Sequence, residues 1–149
     1  MLQLNLPEYN FQIKNIDGKL SIFDNLRKKY VSLTPEEWVR QHFIRYLIEE
    51  KGYPVTLFAI EKQLIINSLK KRFDAVIFNN NAQPLMILEF KATTVNITQT
   101  TFDQIAVYNY KLNVDYLIIS NGINHYCCKI NPDKTGYIYL NNIPDYSDL

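Results

Sequence analysis

Phe73-Asp74-Ala75-Val76-Ile77-Phe78 and Leu85-Met86-Ile87-Leu88-Glu89-Phe90-Lys91 are two largely apolar runs, separated by the polar residues 79–84. Runs of this length that are bounded by Asn and Pro are typical of β-strands. The short connection predicts that the two strands pair as an antiparallel hairpin. The hairpin makes Asp74, near the start of its strand, a neighbour of Glu89.

Glu89 and Lys91 are two residues apart on the second run, so they project from the same face of the strand. Phe90 points the other way, into the predicted core. A carboxylate and an ammonium at the end of an otherwise apolar strand are costly to bury unless they meet partners. A metal ion with its waters would supply such a partner.

Two carboxylates from adjacent strands form a hard oxygen site that suits Mg²⁺. The backbone carbonyl of Phe90 is a candidate third ligand beside Asp74 and Glu89. The ion would polarise a phosphate oxygen and generate a hydroxide nucleophile, and Lys91 would stabilise the developing charge. The arrangement predicts phosphodiester hydrolysis, although Glu-x-Lys is also common on solvated strand faces.

The order of predicted elements indicates an α/β fold with a mixed central sheet flanked by helices and an αβββαβ core. Thr34 and Pro35 begin the first helix, with Glu37 completing a capping box. The strands that follow are residues 55–66, 73–78 and 85–91, with a basic turn at 70–72. A second helix (100–112) and two strands (116–119 and 123–130) complete the core.

We expect residues 1–149 to form a single nuclease-like domain. It divides into an N-terminal extension (1–32), a core (33–130) and a loosely structured C-terminal tail (131–149). Asp17-Gly18 between two short alternating runs predicts a hairpin in the extension.

The two predicted helices offer further site candidates. Gln104 and Tyr108 are four residues apart and share one helix face, although an ordinary helix surface explains them equally well. Glu36 is in phase with Val39 and Phe43, which makes it the preferred third carboxylate. A glutamate at a helix start is also favourable for its interaction with the helix dipole alone.

Composition sets broad limits. The formal charge is +1 and acids balance bases, which is less basic than a general nucleic-acid coat protein. Cys127 and Cys128 are adjacent and are expected to be reduced strand residues, and His42 and His125 to have ordinary packing or surface roles. No long apolar run or leader pattern is visible, so we expect a soluble, cytoplasmic protein.

The sequence resembles the PD-(D/E)xK nuclease superfamily, and specifically the nuclease domain at the N-terminus of type I restriction enzyme R subunits. The resemblance extends from residue 22 to residue 129. Phe73 stands where the superfamily's name has Pro, a position that varies in this group. The matching segments are Thr34-Pro35-Glu36-Glu37-Trp38-Val39-Arg40-Gln41, Lys71-Arg72-Phe73-Asp74, Leu88-Glu89-Phe90-Lys91-Ala92, Gln104-Ile105-Ala106-Val107-Tyr108 and Asn121-Gly122.

The resemblance implies Mg²⁺-dependent DNA cleavage, with Mn²⁺ as a substitute ion. It implies that Asp74 and Glu89 bind the metal, that Lys91 is the catalytic lysine, and that Gln104 and Tyr108 contact the DNA backbone. The implied partners are DNA and either a second copy of the chain or restriction and motor subunits, with no membrane. The sequence lacks a GxxxxGK[ST] phosphate loop, so we expect a free-standing nuclease domain or a piece of something larger.

A catalytically silent DNA-binding or assembly module that keeps the nuclease fold is the alternative function. Its basic groups would come from two clusters, residues 27–29 and 70–72. Cleavage of RNA instead of DNA also stays open, since nothing in the sequence separates the two substrates.

Overall fold

The computed structural model describes residues 2–133 and 135–149. Its regular structure comprises two α-helices, nine β-strands and two short 3₁₀ helices, Val55–Leu57 and Tyr146–Asp148. The helices are α1 (Pro35–Lys51) and α2 (Gln99–Leu112), and the strands are β1 (Ile13–Ile16), β2 (Lys19–Asp24), β3 (Lys29–Ser32), β4 (Phe58–Ile66), β5 (Leu69–Phe78), β6 (Pro84–Phe90), β7 (Tyr116–Ser120), β8 (His125–Ile130) and β9 (Tyr137–Leu140).

The last six strands form one sheet in the order β4-β5-β6-β7-β8-β9. Neighbouring strands are antiparallel except β6 and β7, which are parallel and are connected through α2. A parallel pair needs such a crossover. The predicted α/β class, with a mixed central sheet flanked by helices, is therefore confirmed.

Helices α1 and α2 cover opposite faces of this sheet. Val39 and Phe43 of α1 pack in one buried cluster with Ala75 and Leu88. On the other face, residues of α2 pack with Val76 of β5 and with β6 and β7. Successive residues in the central parts of β5 and β6 therefore face different helices, so both faces of these segments are buried.

The N-terminal extension forms a separate sheet of β1, β2 and β3. Asp17 and Gly18 join β1 to β2 with φ of 52° and 82°, as a tight hairpin turn requires. The predicted hairpin is confirmed, whereas β3 was not predicted.

The prediction of a basic turn at residues 70–72 is wrong. These residues lie inside β5, and the turn is made by Asn67 and Ser68, whose φ angles are 48° and 69°. Strand β5 therefore starts earlier than expected, and Asp74 lies near its middle.

The expectation of a loose C-terminal tail is also wrong. β9 pairs with β8 as the sixth strand of the main sheet. The Tyr53 hydroxyl then donates a hydrogen bond of 3.0 Å to the carbonyl of Pro144. Strand pairing and burial thus order a segment whose composition suggested a loop.

Helix α1 begins at the predicted N-cap, but the predicted capping box is incomplete, because the Glu37 carboxylate pairs with Arg27 and Arg40 and not with the N–H of Thr34. The Thr34 hydroxyl accepts a hydrogen bond of 3.1 Å from the backbone N–H of Glu37, and Gly52 ends the helix in the left-handed conformation. Within the described residues, neither helix has the length and apolar character that crossing a membrane would need.

Candidate active site

The β5–β6 hairpin places Asp74 and Glu89 side by side. Ala75 lies opposite Leu88, so the next step of the register sets Asp74 opposite Glu89. The Oδ2 of Asp74 accepts a hydrogen bond of 2.7 Å from the backbone N–H of Phe90. This bond fixes one carboxylate against the strand that carries the other.

The strand phase predicted for β6 is confirmed for its inward-facing residues. Leu88 and Phe90 are buried in the cluster under α1, whereas Ile87 belongs to the cluster under α2. Glu89 therefore lies on the α2 side of the sheet, and Lys91 follows in the same alternation. The backbone N–H of Lys91 donates a bond of 2.9 Å to the carbonyl at the end of β7, which anchors this corner of the site.

Glu89 is held in an unfavourable position for an anion. Its Oε1 is buried, with no hydrogen-bond partner in the described structure. Burial raises the pKa of Glu89 well above its usual range, and the charge of Asp74 raises it further, whereas Lys71 and Lys91 lower it. A carboxyl group with these neighbours favours either a proton or a bound cation.

This donor set fits a hard divalent cation. Asp74 and Glu89 are oxygen ligands on adjacent strands, and Oε1 of Glu89 has no competing hydrogen bond. Within the described residues, no cluster of three or more Asp, Glu, His or Cys side chains that could hold a metal was found. Mg²⁺ suits such a site, because it keeps several of its waters and needs only one or two carboxylates.

Helix α2 borders the site through Tyr108. The ring of Tyr108 packs edge-on against Phe73 with the centroids 5.8 Å apart. The ammonium of Lys71 lies 5.4 Å from the centroid of the Tyr108 ring, and Lys71 is one of the two cations that act on Glu89. Gln104 is exposed one turn earlier on the same helix.

The prediction that Glu36 lies on the core-facing stripe of α1 is wrong. Glu36 is exposed, and its neighbour Glu37 is the buried glutamate, with 8% of its surface exposed. Among the described residues, no group of three or more Asp, Glu, His or Cys side chains is close enough to share a metal ion, so Glu36 does not form a third carboxylate beside Asp74 and Glu89. The structure therefore does not bring Glu36 together with the acid pair.

Glu37 belongs to a buried ion cluster with Asp24, Arg27 and Arg40. Arg27 contacts Asp24 at 2.5 Å and Glu37 at 2.9 Å, and Arg40 pairs with both acids. Arg27 also reaches Glu61 of β4 at 3.3 Å. Because Glu61 lies between the residues that pair with Phe73 and Ala75, the cluster ties the N-terminal sheet to the main sheet at the level of Asp74.

The histidines and cysteines lie in packed surroundings. The Nδ1 of His42 bonds the carbonyl of Trp38 at 2.8 Å, and His125 bridges Ser120 and the N-terminal segment. Cys127 and Cys128 are free thiols that face the two buried clusters, one on each side of the sheet. Burial raises the pKa of both thiols to about 12.

Sequence reasoning missed two features of the site. Lys71 was assigned to a turn and grouped with its exposed neighbours. Its position two residues before Phe73, in phase with that strand residue, was the available sign that it shares a strand face with Phe73. The ion cluster around Arg40 joins residues from different parts of the chain, so no local pattern could have shown it.

Comparison with known proteins gives a family match over most of the chain. Residues 35–144 match the family model described as Type I restriction enzyme R protein N terminus (HSDR_N). No curated protein matches the chain.

Two solved structures share the fold. One is a fragment of "a putative HsdR subunit of a type I restriction enzyme" from Vibrio vulnificus YJ016, with a TM-score of 0.51 and 17% identity over 75% of this chain. The chain spans only 24% of that protein. The other is "a putative nuclease belonging to DUF820" from Anabaena variabilis ATCC 29413, with a TM-score of 0.52, 12% identity, and 97% and 88% of the two chains covered.

Proposed function

We propose that this chain, which belongs to the family of type I restriction enzyme R protein N termini, is a Mg²⁺-dependent DNA endonuclease that hydrolyses phosphodiester bonds. The family match and the two structural neighbours support a nuclease-like domain. The acid pair and its lysines support the choice of a metal-dependent hydrolysis.

A single observation carries the proposal: two carboxylates share one site, and a buried oxygen of one of them has no partner. Asp74 and Glu89 repel each other when both are ionised, and burial of Glu89 adds to the cost. Such an arrangement lowers stability unless a cation binds, and costly charge pairs of this kind are characteristic of functional sites.

In the proposed mechanism, Asp74, Glu89 and the backbone carbonyl of Phe90 would hold the ion, with Mn²⁺ as a substitute for Mg²⁺. When bound, the ion supplies Lewis-acid polarisation of a phosphate oxygen and lowers the pKa of water. The ammonium of Lys91 stabilises negative charge that develops on the phosphate. The hydrogen bond from the backbone N–H of Lys91 to the end of β7 holds the chain in place at the end of β6.

Gln104 and Tyr108 are proposed to contact the DNA backbone from α2. Gln104 is exposed and free to reach outward, while the Tyr108 ring is held by packing against Phe73. DNA is the proposed substrate. The proposed protein partners are other subunits of a restriction complex or a second copy of this chain.

A plasmid-nicking assay tests the function. Wild-type protein should cut DNA with Mg²⁺ or Mn²⁺ and stop when EDTA is added. Asp74→Ala, Glu89→Ala and Lys91→Ala should each lose cutting, whereas Lys70→Ala should keep it because Lys70 is an exposed β5 residue outside the acid pair. Equal cutting by all variants would identify a contaminant, and binding without cutting in either metal would favour a silent DNA-binding module.

A further inference from the structure

Lys71 projects toward the same side of the sheet as the acid pair. Phe73 and Val76 both belong to the buried cluster under α2, although they are three residues apart. Lys71 and Phe73 both contact Tyr108 of α2, so they lie on the same side of the sheet as Val76 and, by its alternation with Val76, Asp74. Lys71 is half-buried, whereas the adjacent Lys70 is exposed.

Aromatic rings hold the ammonium of Lys71 in place. Its Nζ lies 5.7 Å from the centroid of Phe73 and 5.4 Å from that of Tyr108, within the range of cation–π attraction. No ion pair of Lys71 with a carboxylate occurs within the described residues. The two rings therefore position the Lys71 ammonium without an ion pair that would neutralise its charge.

Two ammonium groups act on the acid pair. Lys71 comes from β5 and Lys91 from the end of β6, and the charges of both lower the pKa of Glu89. Once a divalent cation occupies the two carboxylates, both ammonium groups remain available for an anion. A DNA strand presents a series of phosphates along its backbone, so two cations beside one metal site suit two phosphates of one strand.

We propose that Lys71 binds a phosphate of the DNA strand next to the phosphate that is cut. This inference rests on the proposed DNA cleavage at the acid pair and assigns the site a second cationic group. The two rings fix the position of the ammonium, and Lys91 serves the scissile phosphate. The competing role for Lys71 is a structural one, in which it only offsets the charge of Glu89.

Salt-dependent DNA binding separates the two roles. The affinity for a short labelled duplex is measured by fluorescence anisotropy at several NaCl concentrations, with Ca²⁺ in place of Mg²⁺ and gel analysis to show that the DNA is uncut. Lys71→Met keeps the unbranched stem that packs on the rings. We expect it to weaken binding about tenfold and to reduce the slope of log K against log salt by about 0.9, the value for one lost phosphate contact.

Two matched variants complete the test. Lys71→Arg should keep the wild-type affinity and slope, because it restores the charge. Lys70→Met removes a charge from the neighbouring exposed position and should change both much less. Thermal unfolding of each variant shows that it is folded.

Equal affinity and slope for wild type and Lys71→Met would overturn the proposal and leave Lys71 a structural counter-ion. Equal losses for Lys71→Met and Lys70→Met would also overturn it, because they would indicate a general basic surface. Failure of the nuclease function is distinguishable. If the protein does not cut DNA with Mg²⁺ but Lys71→Met still reduces the salt slope, only the nuclease proposal is overturned. If the protein cuts DNA but Lys71→Met leaves the salt slope unchanged, only the role of Lys71 is overturned.

Discussion

Asp74 is bonded to the backbone of Phe90 across the β5–β6 hairpin, with 2.7 Å between Oδ2 and the amide nitrogen. The bond holds the Asp74 carboxylate beside Glu89, whose pKa is raised first by burial and then by the charge of Asp74. The stability of the metal-free protein therefore depends on how these two acids are charged.

Replacing Asp74 by Asn should raise the free energy of unfolding of the metal-free protein near neutral pH. The amide oxygen can still accept the hydrogen bond from Phe90, whereas the charge that faces Glu89 is removed. Asp74→Ala should be less stable than Asp74→Asn by about 1 kcal/mol, since it loses that bond. Urea denaturation in EDTA measures the order, and an Ala variant as stable as the Asn variant would contradict it.

Glu89 should make the metal-free protein less stable as pH rises. Its pKa in the folded state lies above the unfolded value of about 4.3, so the folded protein retains a proton that the unfolded chain has lost. The stabilising contribution is fully present below the unfolded pKa and is lost as pH rises through the folded pKa. Glu89→Gln should therefore be more stable than wild type at about pH 8, by roughly 1–3 kcal/mol.

The control for this pH series is Glu36→Gln, since Glu36 is an exposed glutamate on α1. Between about pH 5 and pH 8, its free energy of unfolding should run parallel to that of wild type, lower by less than about 1 kcal/mol for the lost interaction with the helix dipole. If the stability of Glu89→Gln runs parallel to wild type between about pH 5 and pH 8, the carboxyl of Glu89 does not carry the pH dependence.

Mg²⁺ should stabilise wild-type protein against unfolding. Saturation to 100 times the dissociation constant corresponds to about 2.7 kcal/mol, and the effect should grow with pH because Glu89 must lose its proton to bind the ion. Thermal unfolding with and without Mg²⁺ measures the gain. Glu89→Gln should gain much less, and an equal gain in both proteins would place the ion elsewhere.

The side of the sheet on which Glu89 lies was predictable because side chains from Met86 to Phe90 alternate between the two faces of the sheet. Leu88 and Phe90 meet α1 while Ile87 meets α2, so every step of the strand is constrained by burial. Strand β5 differs, because its first half extends beyond the core. Residues there need not be apolar, and the charged run at 70–72 therefore resembled a turn.

Helical periodicity alone could not decide which of Glu36 and Glu37 is buried. Adjacent residues on a helix point only about 100° apart, so both lay close to the edge of the apolar stripe. Burial of Glu37 is decided by Arg27 and Arg40, and Arg27 lies outside the helix. Similarly, β9 follows a stretch rich in polar residues and Pro, and its partner β8 supplies the hydrogen bonds that make it a strand.

The buried ion cluster should be important for stability. Asp24, Glu37 and Arg40 are each at most 8% exposed, and Arg40→Ala would leave two buried acids with only Arg27. We expect a loss of about 3–5 kcal/mol, measured by urea denaturation. Arg45→Ala removes a more exposed pair with Glu49 and should cost less than about 1 kcal/mol, and comparable losses in the two variants would contradict the expectation.

Substitutions of Gln104 and Tyr108 should show whether these side chains affect DNA cleavage independently of the free energy of unfolding. Gln104 is exposed, so Gln104→Ala should change the free energy of unfolding by less than about 0.5 kcal/mol. If its amide bonds a DNA phosphate, cleavage should still fall about tenfold. The exposed Val107 on the same helix is the control, and Val107→Ala should leave both quantities unchanged.

Tyr108 packs against Phe73 and lies under the ammonium of Lys71, so its ring and its hydroxyl have different roles. Tyr108→Ala should lower the free energy of unfolding by at least about 1 kcal/mol through the lost ring packing. Tyr108→Phe keeps the ring and should retain stability, while cleavage falls if the hydroxyl contacts the DNA backbone. Full cleavage by Tyr108→Phe, measured beside Gln104→Ala, would restrict the role of Tyr108 to packing and to holding Lys71.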